Sequence, residues 1–184
     1  MKHIYVVWHC KAMGQEPEAK LTQSGAQQAN VLATLLMQKD IDFIVSSPYI
    51  RAYHSILPLA NQKGIDVVLE NRLIERALTS EKHSDWEAML KKSFDDLTIC
   101  YTGGESSYDA MQRAISVVKD VLNSQYHHIV VVSHGNLIAL ILKYFNQHIG
   151  FKEWKGLTNP DVYQLSFEAD KLINLQRLWE ADVT

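Results

Sequence analysis

Long apolar runs are missing from this chain. No stretch reaches the roughly 18 to 20 apolar residues that a membrane span needs, and the opening run is too short for a signal-peptide core. Cysteine is scarce: Cys10 and Cys100 stand alone, which excludes a disulfide framework and fits free thiols in a reducing compartment. Positive charge is not in excess either. Lys and Arg total 18 against 21 Asp and Glu, a formal net charge of −3, whereas a nucleic-acid surface is normally basic overall. Internal repeats, low-complexity tracts and linker-like stretches are also lacking. What remains is a chain of 184 residues, 47% hydrophobic and 21% charged. It reads as one domain over 1–184 with a substantial core, with the cytoplasm as its default location and no membrane or nucleic-acid partner.

Two stretches share one design. Ile4-Tyr5-Val6-Val7-Trp8 runs straight into His9, and Ile129-Val130-Val131-Val132-Ser133 runs into His134. Such apolar runs read as strands buried on both faces, as in the middle of a parallel sheet. Ligands in open α/β sheets sit beyond the carboxyl ends of the strands, so both imidazoles are expected at one edge.

Between them the order reads βαβαβ. Thr22 caps a helix to about Gln38, carrying Ala29, Leu32, Ala33 and Leu36 on one face. Strands follow at Ile41–Val45 and Ile65–Leu69. The helix between them carries Ile50, Tyr53, Leu57 and Ala60 on one stripe and an interior Pro58 expected to kink or loosen it. The segment from about 71 to 104 is a long lid-like excursion with a helix near Asp85–Lys92. A helix carrying Tyr108, Met111, Ile115, Val118 and Leu122 comes next, then the second His-bearing strand and a nearly all-apolar helix over Asn136–Phe145. Asn159-Pro160 marks a turn before Val162–Phe167, with an antiparallel partner strand near Lys171–Leu178. The fold class is α/β: a three-layer αβα sandwich on a mostly parallel sheet.

Phosphate suits this arrangement. His134-Gly135-Asn136 lies at a strand-to-helix turn, where free N–H groups and the helix dipole favour an anion. Arg51 follows Ser46-Ser47-Pro48 at the end of a neighbouring strand and can grip phosphate oxygens bidentately.

Taken in order, His9, Leu21-Thr22 with Gly25, Ser46-Ser47-Pro48 with Arg51-Ala52, Arg72-Leu73-Ile74-Glu75-Arg76, Gly104-Glu105-Ser106 and Ser133-His134-Gly135-Asn136 resemble the histidine phosphatase superfamily, the phosphoglycerate-mutase-like proteins. The resemblance covers nearly the whole chain. It implies phosphomonoester hydrolysis of a small phosphorylated substrate without metal or cofactor. His9 would attack phosphorus to form a phosphohistidine that water then cleaves. Glu75 would protonate the leaving alcohol and then help activate water. Arg51 and His134 would stabilise the equatorial oxygens, with Gln15, Gly135 and Asn136 as further phosphate contacts.

The chain departs from the family motif Arg-His-Gly, having Trp8-His9-Cys10. Tryptophan offers one neutral donor and no charge, and one lost preorganised donor costs roughly 10² to 10³ in rate. Lys11 could return some positive charge; Cys10 is a milder change, and Arg76 also belongs to the motif region. A cysteine phosphatase would need Arg six residues beyond Cys10, where Glu16 stands. No His pair has helical metal-ligand spacing with nearby carboxylates. The arginine-rich insertion of the resembling mutases is missing as well, which disfavours a mutase. Two readings stay open: a hydrolase slowed by Trp8, or a non-catalytic phospholigand-binding protein on the same fold. Substrate identity and oligomeric state stay open too.

Overall fold

Residues 1–180 are described by the computed structural model, so the last four residues of the 1–184 reading lie outside the described part. Six strands form one sheet in the order β3-β2-β4-β1-β5-β6. β1 (Lys2–Trp8), β2 (Phe43–Ser46), β3 (Val67–Leu69) and β4 (His128–Ser133) run parallel. β5 (Asp161–Glu168) and β6 (Lys171–Arg177) close the other side as an antiparallel hairpin, with β5 antiparallel to β1.

The pleat divides the central strands between two cores, because alternate side chains point to opposite faces. Ile4, Val6, Ile129 and Val131 face one core with α4 (Ser107–Leu122) and α5 (Gly135–Phe145). Tyr5, Val7, Val130 and Val132 face the other with α1 (Gln23–Met37) and α2 (Ile50–Lys63). This is the three-layer αβα arrangement expected from the sequence. A third helix, α3 (Trp86–Asp95), lies within the 71–104 excursion, and a short α6 (Phe151–Lys155), not foreseen from sequence, precedes β5.

Two stripes differ from expectation. In α2 the buried positions are Arg51, Ala52, Ser55, Ile56, Leu59 and Ala60, while Ile50, Tyr53 and Leu57 are only half-buried. The face is turned because Arg51 and Ser55 take inner positions. The Ser55 hydroxyl donates to the Arg51 carbonyl and accepts from the Cys10 amide. Helix α2 runs through Pro58, which has no N–H to donate to the carbonyl four residues back, at exposed His54. In α4, Tyr108 is exposed; Ala110, Ala114, Val117 and Val121 complete the buried face.

Gly25 has a specific steric reason. Thr22 caps α1, its hydroxyl accepting from the Gly25 amide at 2.9 Å, while the Lys11 carbonyl lies 2.0 Å from where a Gly25 Cβ would sit. Any side chain there would push the loop after His9 off the helix.

Candidate active site

His9 and His134 each follow their strand directly, and β1 and β4 are adjacent and parallel, with Trp8 paired to Ser133. The two rings lie 5.1 Å apart, edge to face. Both histidines are buried. The Cys10 carbonyl accepts from His9 Nδ1 at 2.7 Å. A carbonyl can only accept, so the proton sits on Nδ1 and the lone pair on Nε2. Arg51 Nε donates to that lone pair at 3.1 Å. Burial lowers His9 to about 4, against the opposing Cys10 hydrogen bond and with help from Arg51. The imidazole is therefore neutral at pH 7.

Two contacts fix the backbone around His9. Its amide donates to the Ser133 carbonyl, and the side chain of Asn159 donates to its carbonyl at 2.8 Å. Asn159, read from sequence only as a turn residue, thus reaches the end of β1 from 150 residues away.

Arg51 is 1% exposed. Its Nη1 donates to the Glu16 carbonyl at 2.8 Å, and its guanidinium lies 5.1 Å over the Tyr49 ring. His134 shares a 2.8 Å hydrogen bond between its Nε2 and Ser47 Oγ, and its Nδ1 has no partner among the described residues. Burial first, then His9 and Arg51, hold its pKa well below the usual histidine range. Ser47 and Tyr49 lie in a stretch the sequence marked, although neither was singled out.

Glu75 takes the seat at the start of α5. Its Oε1 accepts from the Arg76 and Leu137 amides at 2.8 and 3.0 Å, and its Oε2 from the Asn136 amide at 3.1 Å. Burial raises its pKa, opposed by these three N–H groups and by Arg51. Since Oε1 carries two donors and Oε2 one, a proton on Oε2 costs the fewest hydrogen bonds. The segment before Glu75 is clamped from behind. Arg113 pairs with Glu105 at 2.7 Å and donates to the Arg72 and Ile74 carbonyls, and Ser133 Oγ donates to the Leu73 carbonyl. Glu105 of the Gly104-Glu105-Ser106 motif therefore acts through Arg113 on the loop that carries Glu75.

A cavity of about 410 Å³ is lined by Glu75, Gly135 and Asn136, while the buried His9, Arg51 and His134 are not among its lining residues. Trp8, Trp86, Trp154, Leu78 and Leu90 supply its apolar wall. Gln15, Glu75, Arg76 and Asn136 supply its polar side chains. Neither end of the Asn136 amide, nor Trp8 Nε1, has a partner among the described residues. Trp8 lies against the first residue of α5: a Cβ on Gly135 would come 2.8 Å from Trp8 Cζ2. The indole fits there because residue 135 has no side chain. Trp86 and Trp154 meet edge to face at 6.2 Å; neither was marked as a site residue, since they stand 68 positions apart and neither shows a local motif.

The side chains of two other expected residues, Lys11 and Cys10, lie apart from both the paired histidines and the cavity wall. Lys11 is exposed and is not among the cavity's lining residues, because its carbonyl anchors the Thr22 amide and holds that loop against α1. Cys10 points into the core around Tyr5 and Val7, where burial pushes its thiol up to about 12. Among the described residues no group of three or more His, Cys, Asp or Glu side chains is placed to hold a metal ion.

The chain is similar to named phosphatases. A candidate phosphoserine phosphatase (phosphoserine phosphatase 2) of Hydrogenobacter thermophilus is 26% identical, with 97% of each chain covered. A glucosyl-3-phosphoglycerate phosphatase of Mycobacterium tuberculosis is 28% identical over 67% of this chain and 63% of that one. The structure of a mycobacterial glucosyl-3-phosphoglycerate phosphatase with inorganic phosphate superposes with a TM-score of 0.78 at 25% identity, covering 98% of both chains. The model of the histidine phosphatase superfamily (branch 1) matches residues 5–179, and the chain belongs to that family.

Proposed function

We propose that this phosphatase hydrolyses small phosphomonoesters through a phosphohistidine on His9, without a metal. The observation that carries the reading is the state of His9: neutral, its proton held on Nδ1 by the Cys10 carbonyl, its Nε2 lone pair beside the Arg51 guanidinium. In the reaction Arg51 turns from Nε2 to the phosphate oxygens as substrate enters. Nε2 attacks phosphorus, the bond to the alcohol oxygen breaks, and Glu75 gives its proton to that oxygen. Water then attacks the phosphohistidine, Glu75 takes its proton, and the electron pair of the P–N bond returns to Nε2. Arg51 and His134 offset the charge gathering on the equatorial oxygens. Gln15, Gly135 and Asn136 border the path of the phosphate. The relatives are named for phosphoserine and glucosyl-3-phosphoglycerate, both small phosphomonoesters, which agrees with this substrate class.

The domain is read as one unit, with the 71–104 segment as its lid: Leu78, Trp86 and Leu90 from that segment form part of the cavity wall. Trp8 stands where the family motif has arginine, and it lowers the rate by removing one charged donor from the phosphate.

A second reading, a phospholigand-binding protein that does not turn over, draws on the Trp8 indole lying across Gly135 at the anion-binding end of α5. The two are separated by hydrolysis of 4-nitrophenyl phosphate in the presence of a chelator. The proposal expects turnover that His9→Asn and Arg51→Ala abolish. Tight phosphate binding without turnover supports the second reading.

A further inference from the structure

Two peptide units follow His9, and each is held at both ends. In the first, the His9 carbonyl accepts from the Asn159 side chain at 2.8 Å and the Cys10 amide donates to Ser55 Oγ at 2.8 Å. In the second, the Cys10 carbonyl accepts from His9 Nδ1 at 2.7 Å and the Lys11 amide donates to Gln28 Oε1 at 2.9 Å. A peptide unit is planar, with its C=O and N–H on one rigid frame. Gln28, gripping one end of the second unit, therefore fixes where the other end points, and that end holds the ring of His9.

Gln28 is itself fixed. It is half-buried on α1, and its Nε2 donates to the Asn159 carbonyl at 2.9 Å. A backbone amide can only donate and a carbonyl only accept, so the two contacts leave one orientation of the side-chain amide. Asn159 is a firm anchor. Asp161, two residues on, is fully buried, and its carboxylate accepts from the Thr158 amide at 3.1 Å and pairs with Arg177 at 2.6 Å. In a neutral imidazole the bond made by one ring nitrogen decides where the proton sits. With the Cys10 carbonyl swung off the ring, the proton is free to move to Nε2, and a protonated Nε2 has no lone pair for phosphorus.

We propose that Gln28 is a positioning residue for the nucleophile: by fixing the peptide unit between Cys10 and Lys11, it aims the His9 ring and keeps the proton on Nδ1 while Nε2 attacks. This rests on the assignment of His9 above. Arg51 favours the same proton position only while it donates to Nε2. Once Arg51 turns to the phosphate, the Cys10 carbonyl, held through Gln28, is what keeps Nε2 free.

Three variants test it. Gln28→Leu removes both contacts of the side chain, and Gln28→Asn, one methylene shorter, repeats the removal with a polar group. Gln28→Glu keeps an acceptor for the Lys11 amide and gives up the donor to Asn159. In the NMR spectrum of ¹⁵N-labelled wild type, the Nδ1–H proton of His9 should give a downfield, slowly exchanging line, identified by its absence from His9→Asn. Gln28→Leu and Gln28→Asn should move that line upfield or broaden it by exchange with water, while Gln28→Glu should keep it. On 4-nitrophenyl phosphate, kcat should fall by about 10- to 100-fold in the first two, the cost of a misplaced reacting group. Inhibition by inorganic phosphate should stay nearly unchanged, because Arg51 and His134 keep their places. Gln28→Glu should recover most of the rate. The spectrum reads the inference without turnover, so an inactive wild type that shows these changes contradicts the phosphatase reading alone. An unchanged His9 line in Gln28→Leu and Gln28→Asn, or a Gln28→Glu as impaired as they are, overturns the inference and leaves Gln28 a tie between α1 and the turn before β5.

Discussion

Arg51 Nε lies 3.1 Å from His9 Nε2 and donates to it. The guanidinium thus occupies the lone pair assigned to attack phosphorus, so the proposed nucleophile and the proposed phosphate ligand shield each other. On the proposed route an entering phosphate would offer Arg51 a charged acceptor in place of a neutral one and so free Nε2 for attack.

That pairing predicts a low acid limb. With His9 at about 4, kcat/KM on 4-nitrophenyl phosphate should stay level as pH falls toward 5 and decline only near 4. A decline centred near 6.5 would mean an ordinary, solvated imidazole at position 9.

Stability should depend on the same group. Unfolded, His9 titrates near 6.5; folded, near 4. Between those values the unfolded chain binds more protons, so stability is full above 6.5 and is lost as pH falls through 4. His9 accounts for about 3 kcal/mol of that loss, and buried His134 acts in the same direction. Urea unfolding at pH 7 and pH 4.5 should show a smaller loss in His9→Asn than in the wild type. Equal losses would remove His9 from the account.

Glu75 gives a leaving-group test. Its pKa is raised by burial, as a proton donor to an alkoxide requires. Glu75→Gln should slow an alkyl phosphate strongly and an aryl phosphate much less, because a good leaving group needs little protonation. Equal slowing of both would assign Glu75 to positioning Asn136 and Leu137 instead.

Trp8 and Gly135 should behave as a coupled pair. Gly135→Ala places a methyl within 2.8 Å of the indole and should cost about 1–3 kcal/mol by overpacking. In a Trp8→Ala background the same change should be nearly neutral. Additive costs would show that the indole moves aside freely. Trp8→Arg should raise the rate on 4-nitrophenyl phosphate by about 10², the cost of one lost donor. An unchanged rate would mean that another cation already serves the phosphate, Arg76 being the arginine that lines the cavity. Lys11→Ala should leave the wild-type rate essentially unchanged, since Lys11 is exposed and outside the cavity wall.

The sheet and the meeting of the two histidines were legible because fully buried parallel strands leave unbroken apolar runs, and His9 and His134 end two of them. Thr22 and Gly25 were legible for a similar local reason, a cap and a close approach. The inner face of α2 was misread because two polar residues, Arg51 and Ser55, occupy core positions to build the site, against the apolar period. Trp86 and Trp154 carry no local signal and Asn159 shows only a turn; their contacts join residues 68 and 150 positions apart, and nothing at the level of neighbouring residues marks such contacts. Arg76 was visible as a motif residue, but its burial and its bonds to the Glu105 carbonyl and Ser93 exist only in three dimensions.

The central claim is a covalent bond between phosphorus and His9. Rapid acid-free quenching with phosphorus-labelled substrate, followed by alkaline denaturation and peptide mapping, tests it most directly, since phosphohistidine survives base and is lost in acid. The account predicts label on the peptide containing His9 during turnover, accumulating further in Glu75→Gln with an aryl phosphate, and none in His9→Asn. Turnover with no trapped label at any quench time, or label that persists in His9→Asn, would contradict it.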